Sequence, residues 1–360
     1  MRILQLFGLG DTSTLLTVGL RHSGMDCDLL LSNRAFVTQY HAWTRNYPEL
    51  ATGCYQWNKA NTLDPRTIAD LYRFVRKYDL VFAHPPAGAD AWNFDVPYVL
   101  WDGGSGNFFM NAKHEGRRTS DQIKHETVRR SYKKARWIFF NDINVIHTAW
   151  EHMPWKHDRY CYMPLPVDTS VFHPMNTEKF DTFVVYLPTR QEENIKGIGD
   201  ILQGFALFTT HAPEAQLWIT QYGSDVPVTR YLTEELHIQD KVRFVPLIPK
   251  TQFAELINRV DVVIDQLRLN ALGGVTVQSM ACEQRVIVAA NEQWYKDALG
   301  EAPPILNAHS AQDVYLRLLE CYTKKHQNLK KKARKYILKH FEYNTVANKV
   351  KERLQTEIQS

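Results

Sequence analysis

Ten short apolar runs, none alternating with polar residues, set what this chain can fold into. They fall at residues 3–7, 29–31, 80–83, 98–101 and 137–140, and again at 183–187, 217–220, 242–245, 260–264 and 286–290. A strand with one face in water alternates; a strand covered by helices on both faces does not. Between the runs lie stretches with apolar residues at helical spacing, such as 67–77, 199–210 and 313–325. Strand and helix in alternation predict an α/β chain with doubly wound, parallel sheets.

The pattern restarts near residue 182. Just before it, the segment 164–174 holds Pro164, Pro166 and Pro174 and cannot be a helix interior. At roughly 150 residues per domain, 360 residues make two domains. We place an N-terminal Rossmann-like domain at 1–172, a linker at 173–182, a C-terminal one at 183–339 and a closing helix at 340–360. Two such halves facing each other create a cleft, and ligands of such sheets bind outside the carboxyl ends of the strands.

Composition removes several classes. With 44% hydrophobic and 23% charged residues the chain is neither disordered nor of low complexity. A net charge of +4 is too small to argue for nucleic acid, and no binding motif accompanies it. No apolar run approaches the ~20 residues that span a bilayer. The opening MRILQLFGLGD lacks a small-residue cleavage site and reads as the first strand, which points to the cytoplasm. Five scattered cysteines without a CxxC read as reduced thiols.

Two stretches are basic. Residues 324–340 carry seven Lys, Arg334 and no acid; residues 129–136 carry five cations. A solvated helix face explains both. Attraction to anionic head groups at the inner face of a membrane explains them too.

Some patterns lead nowhere. GLGDTS, with Gly8 and Gly10, follows the first strand, but Ser13 stands where a dinucleotide fingerprint needs its third glycine. It is either a tight strand-to-helix turn or a place for a ligand to approach the backbone. Asp26 and Asp28 form a DxD at the entrance to a strand, the wrong end for a cleft. His147, His152 and His157 are spaced by five and do not share a helical face, so we expect no metal site.

One constellation survives. In TRQEENIKG, Arg190 follows a strand and Lys196 opens a helix; two such cations can clamp a diphosphate. Farther on, Gly273 and Gly274 precede a helix whose first amides and dipole suit an anion. Asn270 lies in the loop before them and Gln278 on the helix after, and both amides can bond sugar or ribose hydroxyls.

Here the sequence resembles a family. PLPVDTSVFHP is similar to the interdomain N-G-V-D-x-x-x-F-x-P segment of GT-B glycosyltransferases of the GT4 type, matching at Pro166, Val167, Asp168, Phe172 and Pro174. KGIGDILQGFALF resembles the helix after their phosphate-binding loop, residues 270–281 their E-x7-E segment, and HFEYNTVANKVKERLQ their closing helix. The likeness extends over about residues 160–360 and is topological before that.

The resemblance implies transfer of a sugar from a UDP- or GDP-linked donor to a hydroxyl of a glycan, a lipid-linked or a protein acceptor. It implies retention at the anomeric carbon, with neither cofactor nor metal. Arg190, Lys196 and Asn270 would act in catalysis. The donor would contact Gly8, Gly10, Arg190, Lys196, Asn270, Ala271, Leu272, Gly273, Gly274 and Gln278. Departures from the family are specific. Both Glu positions of E-x7-E are amides, Asn270 and Gln278, and Gly103 replaces a His that the family often carries. Asp102 precedes that glycine. It either orients the acceptor as a catalytic group or caps a turn. His84 and Trp101 are further acceptor-side candidates, with Trp43 and Trp92 as stacking faces or core. The lost carboxylates favour an alternative, a degenerate member serving as binding subunit of an active transferase. A sugar epimerase of the same fold is a third reading.

Overall fold

The computed structural model describes residues 1–8, 11–32, 47–57, 65–85, 89–103, 129–152, 158–325 and 327–358. Contacts divide the chain into two units, Met1–Pro166 with Tyr343–Ser360, and Val167–Glu342.

The first unit holds seven strands: β1 (Arg2–Leu6), β2 (Asp26–Ser32), β3 (Cys54–Trp57), β4 (Leu80–Ala83), β5 (Tyr98–Asp102), β6 (Ile138–Phe140) and β7 (Tyr160–Tyr162). Their order is β3-β2-β1-β4-β5-β6-β7 and every pairing is parallel. Helices α1 (Thr12–His22), α2 (Pro65–Val75) and α3 (Ile143–His152) connect them.

The second unit repeats the plan with β8 (Val184–Leu187), β9 (Gln216–Thr220), β10 (Val242–Val245), β11 (Val262–Ile264), β12 (Val286–Val288) and β13 (Leu306–Asn307), ordered β10-β9-β8-β11-β12-β13 and all parallel. Its helices are α4 (Ile198–Thr209), α5 (Val226–Glu235), α6 (Lys250–Arg259), α7 (Gly274–Ala281), α8 (Glu292–Leu299), α9 (Ala311–Tyr322) and α10 (Gln327–His340). The apolar runs thus predict the α/β class and the inner strands. They miss the edge strands β3 and β13, which are only partly buried, and β7, whose Tyr-Cys-Tyr sequence carries no aliphatic run.

Burial on both faces holds each sheet. In the second unit Val185, Leu187, Leu217, Ile219, Ile264 and Ile287 pack with Ile201, Phe205 and Phe208 of α4 and Val314 and Leu318 of α9. Each such side chain contributes about 1.5–3 kcal/mol relative to exposure. Helices α4 and α9 approach closely at Gly204, where a Cβ would sit 2.6 Å from the Ala311 carbonyl oxygen.

The closing helix, α11 (Tyr343–Ile358), belongs to the first unit. Val346, Ala347, Val350 and Leu354 join the core of Ile3, Leu16, Leu20 and Trp101. At its start, Val167 bridges to Glu342 within the second unit, and Phe172 packs edge-on against Phe253 there. By contacts, residues 167–172 therefore go with the second unit, and the division falls before Val167, not at 172.

Candidate functional site

The carboxyl ends of β8 and β11 carry the residues singled out in the second unit. After β8 the chain runs through Arg190 into a single helical turn, Glu193–Lys196, which Gly197 ends at φ 68° before α4 begins. Lys196 therefore closes a short turn and does not open the long helix. Its backbone carbonyl accepts the Leu267 amide at 3.0 Å, tying this turn to the loop after β11.

That loop is built from beneath by Gln266, a fully buried side chain. Its Nε2 donates to the carbonyls of Ala271 (2.7 Å) and Ala289 (2.9 Å), and its Oε1 accepts from the amides of Arg268 (3.0 Å) and Leu269 (2.6 Å). Asn270, at φ 51°, takes the left-handed turn that asparagine tolerates. Its side chain is half-buried, as is that of Gln278 on α7. Ala271 and Leu272 point inward, 4% exposed each, and the Leu272 amide is consumed by Tyr295 Oη at 2.7 Å. These two side chains pack inward and shape the loop.

Helix α7 opens at Gly273 without a side-chain cap from that residue. The cap comes from Asp265, at the end of β11. Its Oδ2 accepts the Thr276 hydroxyl at 2.7 Å and the Thr276 amide at 3.3 Å. A Cβ on residue 273 would lie 2.8 Å from the same oxygen, so glycine is needed there. The first-turn amides of Gly274 and Val275 have no acceptor inside the helix by virtue of position.

Asp265 also meets the clamp. Its Oδ1 stands 3.5 Å from Lys196 Nζ, with Asp265 1% and Lys196 14% exposed. Lys196 and the glycine-opened helix are thus brought to one place, and the joining residue is one that the sequence reading missed. Arg190 pairs with Glu192 of its own loop at 2.9 Å and stays 45% exposed. The Arg190 loop is fixed by buried Gln191, whose amide donates to the Tyr222 carbonyl (2.6 Å) and whose side chain accepts from Thr229 Oγ1 (3.1 Å). Nothing in the spacing of single residues marks Gln191, Gln266 or Asp265; a polar residue just past a buried strand is the only sign.

In the first unit, His84 follows β4 and Asp102 is the last residue of β5, and both are buried. His84 Nε2 bonds Gln5 Oε1 at 2.7 Å, and burial pushes the imidazole pKa down to about 3, so the ring is neutral at ordinary pH. Asp102 is fully buried, and its backbone carbonyl accepts the Asn141 amide at 3.1 Å. Trp101 is a core residue at 1% exposure, its ring 6.2 Å from Phe139, and offers no face to a sugar. Trp92 lies under the cations of Arg130 (5.7 Å) and Lys134 (5.0 Å). Gly8 marks a tight turn: a Cβ there would strike Ser13 Oγ at 1.8 Å. Gly10, Trp43 and His157 lie outside the described residues. Asp28 of the DxD is spent on Arg21 (3.4 Å), Arg2 (3.5 Å) and Tyr78 Oη (2.7 Å), an internal structural cluster. Among the described residues no group of His, Cys, Asp and Glu is arranged to hold a metal, and no helix is long and apolar enough to cross a membrane.

Residues 173–336 match the family described as glycosyl transferases group 1. The match covers less than half of the chain. The loop after β8, the loop after β11 and helix α7 all lie inside this matched segment. Solved structures agree on the fold over the whole length. HepE from Anabaena, in complex with UDP and glucose, aligns over 99% of this chain and 100% of its own at TM-score 0.74 and 15% identity. Sucrose-phosphate synthase from Thermosynechococcus elongatus aligns over 100% of both chains at TM-score 0.72 and 15% identity. A putative UDP-N-acetylglucosamine 2-epimerase from Listeria monocytogenes aligns over 99% of this chain and 96% of its own at TM-score 0.62 and 9% identity. No curated protein matches by sequence. The chain therefore has the two-sheet GT-B fold of these structures.

Proposed function

We propose that this glycosyltransferase moves a sugar from a nucleoside diphosphate to an acceptor hydroxyl, with retention and without a metal ion. The observation that carries the reading is the meeting of Lys196 with the N-terminal turn of α7 through Asp265. As the bond to the sugar breaks, negative charge grows on the departing diphosphate. An ammonium, a guanidinium and first-turn amides stabilise it, and preorganised donors of this kind contribute about 3–4 kcal/mol each. Gly273 and Gly274 let phosphate oxygens reach the backbone; Asn270 and Gln278 bond hydroxyls of the donor. The departing phosphate oxygen takes the acceptor's proton on the face it leaves, which gives retention. UDP-linked sugars come first as donors, because HepE binds UDP and glucose. GDP-linked sugars come second.

The acceptor is a glycan, a lipid-linked or a protein hydroxyl. A lipid-linked acceptor accords with the exposed lysines of α10 and the turn before it, Lys324, Lys325, Lys331, Lys332 and Lys335, none of which pairs with a carboxylate among the described residues. These lysines suit peripheral contact with an anionic membrane at its cytoplasmic face.

Incubation with a panel of UDP- and GDP-sugars, with and without acceptors, tests the function. Donor consumption and a thermal upshift with one nucleoside diphosphate are expected; neither with any donor would reject it. The amides at 270 and 278 favour a second reading, a binding subunit that holds the nucleotide but needs an active partner for turnover. A thermal upshift without donor consumption selects that reading. Conversion of the donor sugar without any acceptor selects an epimerase.

A further inference from the structure

Each cation of the clamp arrives with a carboxylate of its own, and the two pairs differ. Arg190 and Glu192 meet in the open, 45% and 24% exposed, so Arg190 can turn to a ligand at little cost. Lys196 and Asp265 meet inside the protein, 14% and 1% exposed. Asp265 Oδ2 is occupied by Thr276 at the first turn of α7. Asp265 Oδ1 is buried, and among the described residues no hydrogen-bond donor reaches it; it faces Lys196 alone. A buried carboxylate with one free oxygen is tolerated only beside a compensating charge. Asp265 is therefore committed to Lys196, and Lys196 is held where the helix opens.

We propose that Asp265 is a positioning residue that fixes the Lys196 ammonium at the N-terminal turn of α7 and sets the balance between holding and releasing the diphosphate. This rests on the function proposed above. Two effects of opposite sign follow from its charge. Its negative charge beneath the anion site repels the bound diphosphate and so favours product release. By fixing Lys196, it leaves the ammonium already oriented when charge develops on the leaving oxygen, with no reorganisation at that moment. The carboxylate weakens ground-state binding and supports turnover at once.

Asp265→Asn separates the two. The asparagine Oδ1 still accepts from Thr276, so the helix keeps its cap, while the charge is lost. UDP is expected to bind about three- to tenfold tighter and the donor KM to fall, while kcat drops about tenfold. A role in stability alone predicts the reverse pairing, weaker binding that tracks a lower melting temperature. The double-mutant cycle with Lys196→Met supplies a second reading. Lys196→Met strands the buried carboxylate and lowers the melting temperature. Adding Asp265→Asn to it restores part of that loss and leaves kcat where Lys196→Met put it. If Asp265→Asn alone cannot be recovered, comparison of Lys196→Met with the double variant still shows whether removing the stranded carboxylate restores melting temperature, and no restoration would overturn the assignment. UDP bound no tighter by Asp265→Asn, or effects on kcat that add in the cycle, would overturn the assignment. Failure of the parent protein to bind UDP or GDP would sink the function instead, and the melting-temperature arm would still test the pair.

Discussion

His84 and Gln5 join β4 to β1 through a bond of 2.7 Å that is shut off from solvent, with His84 at 3% and Gln5 at 0% exposure. The imidazole pKa, pushed down by burial to about 3, makes this pair acid-sensitive. In the unfolded chain a histidine titrates near ~6.5. As pH falls below that value the unfolded state takes up a proton that the folded state refuses, so stability falls until about pH 3. Between pH 6.5 and 4.5 the loss is about 2–3 kcal/mol. Urea midpoints of the parent should therefore drop more steeply with acid than those of His84→Gln, whose side chain does not titrate. Parallel curves for the two proteins would contradict the assignment.

Arg190 and Lys196 should fail differently when removed. Lys196→Met is expected to lower donor kcat by about 100-fold or more, the scale of losing one preorganised donor. Arg190→Ala, at the exposed pair, should raise the donor KM more than it lowers kcat. Glu192→Gln frees Arg190 from its partner and should tighten UDP by about two- to fivefold, within the ~1 kcal/mol that an exposed pair is worth. Steady-state donor kinetics read the first two, and isothermal titration with UDP at two salt concentrations reads the third.

Gly223→Ala tests the mooring of the Arg190 loop. Gly223 sits at φ 124°, and a Cβ there would lie 2.4 Å from the backbone oxygen of Gln191 and 2.5 Å from its nitrogen. Backbone cannot yield as a side-chain tip can. The substitution should cost at least ~2 kcal/mol and impair donor use together with stability, as measured by thermal melting and donor consumption.

Replacing Lys324, Lys325, Lys331, Lys332 and Lys335 with Gln should abolish co-sedimentation with vesicles that contain an anionic phospholipid, since each nearby cation contributes about 1 kcal/mol. Donor hydrolysis in solution should not change. Retained binding to anionic vesicles would remove the membrane from this account.

The inner strands were legible because residues such as Val262, Val263 and Ile264 are buried on both faces and leave an uninterrupted apolar run. Cys54–Trp57 was not, because an edge strand with two exposed residues has no such signature. At the site, glycines and cations were readable from their places after strands. Their partners were not. Asp265 reads in sequence as one more polar residue after a strand, and only folding brings it to Lys196, far away along the chain. The place of His84 after a strand and the stacking face of Trp101 suggest acceptor contacts, yet the fold buries both.

Gln266 secures the loop of residues 266–271 wholly from its inner side. Of the outward positions, Arg268 ties the loop to its neighbours, 2.6 Å from Asp200 and 3.7 Å from Glu193, and the Asn270 side chain takes no part in the Gln266 bonds. Exchange at position 270 is confined by its φ of 51° to residues at home in a left-handed turn, such as Gly or Asp, so the outward side chain can change while the scaffold beneath keeps its shape.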